Sequence, residues 1–264
     1  MINRIDNYGS IRGMKMKTNI DYQKIWYCLT LITIGCLLII DNNPIEYKLN
    51  DEVYSYRATP HVGSFNHKGL IEIDAQATGI GANNWTWALS QPWCSGAGTS
   101  ENPYVIGNIN VDGMESGTPF TILDSKLVYF NIINCTFHNG TREYPFVGLE
   151  LSNCANGTVQ DTEVYDNHFS VDAMGCEDIE FENITVKDSY IGIRIYNGIN
   201  VNFHESYEEN CSQYALRYEH SESCVVSNNN FYNNTRAISN FRSDFILFED
   251  NYVNKSSIAG ISVW

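Results

Sequence analysis

Two acidic and two basic residues recur at a nearly constant interval in the C-terminal half of the sequence. Glu150, Asp172, Arg194 and Arg217 are separated by 22, 22 and 23 residues, by subtraction of their positions. Carboxylates bind cations and accept protons, and guanidinium groups donate paired hydrogen bonds to carboxylate or sulfate. The residue types suit two kinds of site. One is a catalytic site, with Asp172 as cation ligand and Arg194 and Arg217 as a basic pair. The other is a binding site in which the two arginines donate hydrogen bonds to a uronate or sulfate. An exposed charge ladder without function shows the same pattern, with each ion pair contributing about 0–1 kcal/mol.

An apolar column that directly precedes these residues predicts the fold that must position them. A fixed period of 22 or 23 residues is typical of a solenoid, in which each repeat stacks on the last. Apolar residues alternate with polar ones in Leu149-Glu-Leu151 and Ile193-Arg-Ile195, as in a strand with one face inward. We therefore expect an all-β, single-stranded parallel β-helix, in which the charged column faces outward and advances about 4.8 Å per coil. The column members are Leu149, Val171, Ile193, Leu216, Ile238 and Ile261, and the outward column continues with Ser239 and Ser262.

The charge distribution limits the partners and indicates export. The net charge is −15, and residues 1–24 contribute five basic and two acidic side chains, or +3, which leaves −18 for the remainder. A domain this acidic is not expected to bind nucleic acid. Residues 25–40 carry no charge and follow the basic segment, which predicts an uncleaved transmembrane signal anchor in preference to a cleaved signal peptide. The β-helix is then expected outside the cell membrane, with 1–24 as a basic cytoplasmic tail.

The remaining segments are assigned by composition. Residues 41–70 are predicted to be a linker, 71–104 a Trp-rich N-terminal cap and 105–264 the β-helix, with Ile122 joining the first apolar column. The tryptophans between 85 and 93 are interpreted as a cover for the open end of the first coil, or as stacking surfaces for sugar rings. The chain stops within the first strand of a new coil, so we expect either a truncated product or an open edge that docks another chain.

Cysteines and glycosylation sequons supply further candidates. Cys154 and Cys176 occupy the same repeat position, so they are expected to be neighbours, either as a disulfide or as buried thiols. Of eight Asn-X-Ser/Thr sequons, those at Asn139 and Asn254 are the preferred glycosylation candidates. No zinc or copper ligand set is present in the sequence, and no cofactor is expected, Ca²⁺ being the one ion considered for the acidic residues.

The lead-in and the coils together resemble a known superfamily. The lead-in reads Gly79-Ile-Gly-Ala-Asn-Asn-Trp85, then Trp93-Cys-Ser-Gly96, Asn102-Pro-Tyr-Val-Ile106 and Ile109-Asn-Val-Asp-Gly113. With the Asn-rich coils, it resembles exported right-handed β-helix proteins of the pectate-lyase-like superfamily, in particular the NosD-like branch with the carbohydrate-binding and sugar-hydrolase repeat. The resemblance covers 100–264 and, more loosely, 71–99.

The resemblance implies a right-handed β-helix and a polysaccharide or glycan partner. Its enzymes are polysaccharide lyases and glycoside hydrolases, but the Asp-Asp and Gly-His-Gly signatures of the polygalacturonase-like hydrolases are absent here. We therefore expect non-catalytic glycan binding or surface adhesion. The alternatives are a lyase or hydrolase, and a truncated structural surface protein without a ligand.

Overall fold

Three sheets, parallel except for the edge strand β3, wind around a common core in the computed structural model of the protein, which describes residues 65–264. Each coil contributes one strand to each sheet. Sheet I consists of β2 (Ile71–Asp74), β6 (Phe120–Leu123), β9 (Val147–Ser152), β12 (Phe169–Met174), β15 (Ile191–Tyr196), β18 (Tyr214–Glu219), β21 (Arg236–Phe241) and β24 (Ala259–Val263). Sheet II consists of β3 (Cys94–Ser95), β4 (Tyr104–Gly107), β7 (Phe130–Ile133), β10 (Ala155–Gln160), β13 (Glu177–Glu182), β16 (Ile199–His204), β19 (Val225–Ser227) and β22 (Leu247–Glu249). Sheet III consists of β1 (Phe65–Lys68), β5 (Ile109–Asp112), β8 (Thr136–His138), β11 (Glu163–Tyr165), β14 (Thr185–Lys187), β17 (Tyr207–Glu209), β20 (Asn230–Tyr232) and β23 (Tyr252–Asn254).

The strand register confirms the predicted apolar column of sheet I. Val171 pairs with both Leu149 and Ile193, and the column continues through the later strands as predicted. The placement of Ile122 in this column was wrong. Ile122 pairs with Leu151, and Phe120 pairs with Leu149. The loops of this coil are longer than those of the later coils, and a single spacing does not show how many residues the loops add.

Asparagine and aspartate form the corners between the sheets. At one corner Asp161 and Asn183 have φ angles of 50° and 51°, in the left-handed region that these two residue types tolerate. The Asn183 Nδ2 donates a hydrogen bond of 2.6 Å to Asp161 Oδ1 in the preceding coil. The same ladder recurs where Asn200 Nδ2 donates to Asp178 Oδ1 at 2.6 Å. The Asn-rich repeat is thus explained by backbone conformation and by bonding between coils.

The interior combines apolar columns with polar side chains at the corners. Asn229 is buried, accepts a hydrogen bond from the Ser206 backbone N–H at 2.9 Å and donates to the Phe203 carbonyl at 2.9 Å. One inward side chain has no such partner. Glu208 is fully buried between Val186 and Phe231 in the inward column of sheet III, and neither carboxyl oxygen forms a hydrogen bond.

The first coil begins earlier than the sequence boundaries predicted. β1 lies within the predicted linker and β2 within the predicted cap, yet they pair in parallel with β5 and β6. The boundary at residue 105 was therefore too late, because the segment between β2 and β4 interrupts the repeat and hides its period. That segment contains β3, which is antiparallel to β4, and the short helix α1 (Trp85–Ala88), capped by the Asn84 side chain.

Two of the cap tryptophans are buried against the first coils. Trp85 packs on Phe130, with ring centroids 6.0 Å apart, and Trp93 packs on Phe120 at 6.2 Å. Within 65–264, no helix is long and apolar enough to cross a membrane. The predicted anchor at 25–40 lies outside the described residues.

Candidate functional site

The four charged candidates lie together on the outer face of sheet I. Glu150 pairs with Asp172, Asp172 with Arg194, and Arg194 with Arg217, so one residue from each of four successive coils forms a continuous row. We call this the charged row. It runs from Glu72 and Thr121 at its N-terminal end to Ser239 and Ser262 at its C-terminal end. The row is therefore acidic in the early coils and basic in the later ones.

Asp172 and Arg194 form a bidentate ion pair in the middle of the row. Arg194 Nε donates to Asp172 Oδ1 at 2.9 Å, and Nη2 donates to Oδ2 at 2.5 Å. The Asp172 side chain is 6% exposed, so water screens this pair weakly. The hydrogen bond with Asp172 raises the pKa of Arg194. Because Arg194 engages both carboxylate oxygens, a cation at Asp172 must compete with a well-formed ion pair.

Glu150 lies at the acidic end of the row in an environment that disfavours its charge. Burial raises the pKa of this carboxyl, and the nearby charges of Asp172 and Glu72 raise it further. Hydrogen bonding to Thr121 acts in the opposite direction. Two adjacent carboxyl groups thus differ in their surroundings, since both oxygens of Asp172 accept hydrogen bonds from Arg194 and Glu150 lies where burial and nearby negative charges raise its pKa.

Arg217 is less completely neutralised than Arg194. Its Nε lies 2.9 Å from Glu219 Oε1, but the angle is too poor for a hydrogen bond, and Nε is buried without a hydrogen-bonding partner. We therefore treat this contact as an ion pair by proximity only. The guanidinium carbon lies 4.8 Å from the centroid of the Tyr214 ring, and that of Arg236 lies 5.2 Å from the same ring. Two cations of adjacent coils thus share one aromatic side chain.

A second outer row runs beside the charged row, and our reading of the sequence missed it. Its members are in register across adjacent coils, and three of them, Val147, Phe169 and Ile191, form an apolar cluster separate from the core, with Tyr214 against it. The Arg194 guanidinium lies 4.9 Å from the Phe169 centroid, which places this row on the outer face. The row consists of Val147, Phe169, Ile191, Tyr214 and Arg236.

Strict strand alternation hides this second row. Its members precede the inward column by two residues, which would point them inward. A small buried residue lies between the two positions in each of the five coils that form this row. It and the next residue both face the interior, which requires the backbone to bend there, and the larger side chain before them faces outward. The signal that could have revealed the row is the column of small residues Gly148, Ser170, Gly192, Ala215 and Ala237.

Aromatic side chains extend this face toward solvent. Tyr144, in the loop before β9, is 70% exposed and lies edge-on to Phe169, with centroids 6.0 Å apart. His168 stacks on Tyr190 at 4.9 Å, and its Nδ1 lies 3.0 Å from the Arg142 carbonyl oxygen of the same loop. The loop of residues 139–146 between β8 and β9 therefore brings an exposed aromatic ring to the edge of the candidate site.

The other candidates lie elsewhere on the coils. Cys154 and Cys176 are neighbouring buried free thiols, and the hydrogen bond between them raises the pKa of Cys154. Asn139 is a left-handed corner residue whose Nδ2 donates to Asp112 at 2.7 Å, and Asn254 Nδ2 donates to the Tyr252 hydroxyl at 3.2 Å. The disulfide and the glycosylation sites stay predictions. Among residues 65–264, no group of three or more His, Cys, Asp or Glu side chains is arranged to hold a metal ion.

Comparison with known proteins identifies the family to which the coiled region is similar. A family model described as the right-handed beta helix region matches residues 121–264. No curated protein matches the chain. Similar solved structures include the periplasmic alginate epimerase AlgG, with 14% identity over 55% of this chain and 39% of that chain at a TM-score of 0.46. The enzymatically active domain of bacteriophage CBA120 tailspike protein 2 has 11% identity over 60% and 28%, at 0.46. Pectate lyase Pel9A has 11% identity over 76% and 80%, at 0.36. The chain thus spans about two fifths of the epimerase and less of the tailspike domain, and these likenesses concern the fold alone.

Proposed function

The chain belongs to the right-handed β-helix family, and we propose that its outer face on sheet I binds an acidic polysaccharide without cleaving it. The observation that carries this proposal is the pair Arg217 and Arg236 on adjacent coils, both over the ring of Tyr214. A guanidinium over an aromatic ring retains N–H donors at its edges, and a carboxylate or sulfate can accept hydrogen bonds from them.

The two arginines have donor capacity to spare. Neither Arg217 nor Arg236 donates a side-chain hydrogen bond to any group within 65–264, whereas Nε and Nη2 of Arg194 both donate to Asp172. Tyr190 and Tyr144 are exposed on the same face, and aromatic rings with an apolar body and a polar tip suit the mixed surface of a sugar. A polymer lying along the stack axis would meet one row position about every 4.8 Å.

The proposal includes attachment to the cell membrane on the outer side. Residues 25–40 form an uncharged run preceded by a basic segment, which favours an anchor with 1–24 inside and the β-helix outside. An anchored β-helix of this kind would serve as a surface glycan receptor or adhesin. Residues 25–264 carry a net charge of −18, so an anionic polymer would bind only through the local positive charge of Arg217 and Arg236, which argues against nucleic acid because its binding relies on many phosphate contacts.

A polysaccharide lyase or hydrolase is the second candidate, and the carboxyl groups of Glu150 and Asp172 favour it. Glycoside cleavage uses two carboxyl groups, one as general acid and one as nucleophile or base, and burial raises the pKa of Glu150, which suits the general acid. The alginate epimerase and the pectate lyase named above are, by their names, enzymes of polysaccharides. Against catalysis, Asp172 is already bound by Arg194 at both oxygens. A structural surface protein without a ligand is the third candidate.

The test uses full-length protein in detergent on an array of acidic and neutral glycans. We expect binding to uronate-containing or sulfated polymers, and a loss of about tenfold in affinity for Arg217→Ala and for Arg236→Ala. Lys187→Ala, on sheet III, is the control that removes a positive charge from another face and should leave binding unchanged. Equal binding by all variants, or none by the wild type, refutes the proposal. Release of reducing or unsaturated ends that Glu150→Gln abolishes would establish the enzyme instead.

A further inference from the structure

A cavity of about 590 Å³ lies at the N-terminal end of the stack, away from the basic end of the charged row. We call it the cap pocket. Its walls are the start of α1 with Asn84, Trp85 and Thr86, the turn after β2, and the loop that joins β6 to β7. The volume is within the range of small-molecule sites.

The loop between β6 and β7 makes this pocket a local feature. It contains the six residues 124–129, whereas the equivalent connection between β9 and β10 contains only Asn153 and Cys154. The longer loop places Leu127 at the pocket with 97% of its side chain exposed, next to the exposed Lys126. An apolar side chain so exposed at the wall of a cavity is available to an apolar surface of a ligand.

The inner wall of the pocket is rigid. Trp85 is 5% exposed and stacks on Tyr104, with ring centroids 4.4 Å apart and planes inclined by 12°. Its indole N–H donates to the Ser125 hydroxyl at 3.0 Å, and that hydroxyl donates to the Leu123 carbonyl at 3.1 Å. Because these polar groups are satisfied by one another, the wall is preorganised and needs no rearrangement to receive a ligand.

Several polar groups at the pocket have no partner within residues 65–264. The Lys126 ammonium forms no ion pair or hydrogen bond there, and neither do the side-chain amide of Gln76 and the hydroxyl groups of Thr86 and Tyr104. The carboxylate of Asp124, which also lines the pocket, accepts a hydrogen bond from Asn153. The groups left available are therefore one cation and three neutral groups that can each donate or accept a hydrogen bond.

We propose that the cap pocket is a second binding site, which takes a monosaccharide-sized ligand with a carboxylate or phosphate group. Lys126 pairs with the anionic group, and Gln76, Thr86 and Tyr104 bond hydroxyl groups. Leu127 covers the apolar face of the sugar ring. This site does not include the arginines of sheet I, so its existence is independent of the proposed binding of a polymer and can be tested separately.

The test is ligand-observed NMR titration of the full-length protein in detergent with three probes: glucuronate, glucose 1-phosphate and glucose. We expect at least one of the two anions to bind at least tenfold more tightly than glucose, and the stronger anion identifies the group that is preferred. Lys126→Met should weaken binding of that anion about tenfold and leave glucose unchanged. Lys187→Met is the matched control and should bind as the wild type does.

Leu127→Asp supplies a second variant at an exposed position, and it should weaken anion binding by placing a like charge at the pocket. Arg217→Ala should leave the binding of all three probes unchanged, while it weakens binding of acidic polymers. The proposal is overturned if no probe binds, if glucose binds as tightly as the anions, or if Lys126→Met has no effect. Loss of anion binding in Arg217→Ala also overturns it, since the anions would then bind on sheet I.

Discussion

Glu208 should make the β-helix less stable as the pH rises. The carboxyl is fully buried, neither oxygen has a hydrogen-bonding partner, and burial raises its pKa well above 4.5. The folded protein therefore holds the proton that the unfolded chain releases near pH 4.5. Its contribution is most favourable below that pH and is lost as the pH rises toward the folded pKa. Over that interval the free energy of unfolding should fall by about 1.4 kcal/mol per pH unit.

The surroundings of Glu208 offer no compensating charge. Tyr218 and Cys211 are both fully buried, and the pKa of each is raised mainly by burial and further by the Glu208 charge, so both side chains stay neutral and supply no positive charge to an ionised Glu208. Its column neighbours on sheet III are Val186 and Phe231. A neutral carboxyl is thus the only form that this interior accepts without a large free-energy cost.

The measurement is urea unfolding of the full-length protein, followed by far-ultraviolet circular dichroism, from pH 5 to pH 8. Glu208→Gln, neutral at every pH, should show a flatter dependence of its midpoint than the wild type, and the difference should grow as the pH rises. Glu208→Leu should be more stable than the wild type at pH 8, because it removes an unpartnered buried polar group worth about 1–3 kcal/mol. Glu209→Gln, the next residue and outward-facing, is the control and should keep the wild-type dependence. Parallel pH curves for the wild type and Glu208→Gln would refute the reasoning.

Three further predictions concern the core, the charged row and the anchor. Ile193→Asp should destabilise the fold by about 4 kcal/mol or more in urea unfolding, because a charge would be buried unpaired, whereas Ile199→Asp at a half-exposed position should have little effect. Asp172→Asn should cost about 3 kcal/mol by leaving its arginine partner unpaired, against about 0–1 kcal/mol for Asp166→Asn, whose partner is 68% exposed; equal costs would contradict the difference in burial. Protease added to intact cells should remove the β-helix if 25–40 is an anchor with its C-terminal side outside, and full protection would show the opposite orientation.

The repeat period was sufficient to predict the coils, because a solenoid imposes the same inward position on every turn. The spacing of Leu149, Val171 and Ile193 predicted their pairing, and the same spacing placed Asp172 beside Arg194. The right-handed β-helix prediction is confirmed by the family model over 121–264, while the NosD-like branch stays a prediction. The period failed where loops differ in length, as at Ile122 and in the first coil, since spacing alone cannot tell which connection carries an insertion.

The repeat period also could not predict which way the side chains point where the backbone bends. A strand period of two assigns Phe169 and Tyr214 to the interior, and only the buried small residue after each of them shows that the chain turns there. Glu208 is the converse case. Glu208 lies one repeat period after Val186 and one before Phe231. The sequence does not show whether such a carboxyl is buried in the column or whether the strand shifts to turn it outward.

The neighbours of each arginine, together with the bend, explain why the groups proposed to bind an acidic ligand lie in the later coils of the outer face. Charged side chains of adjacent coils lie about one strand spacing apart, so the residue at the same row position in the neighbouring coil is close enough to pair with each arginine. Arg194 has Asp172 on one side and is fully paired. Arg217 has Arg194 on one side and Ser239 on the other, so its ion-pair partner is Glu219 of its own strand, whose Oε1 lies 2.9 Å from Nε without forming a hydrogen bond. The outward position of Tyr214 places the guanidinium groups of Arg217 and Arg236 over one ring, with hydrogen-bond donors that no protein side chain accepts within residues 65–264, and the acidic ligand proposed above would accept them.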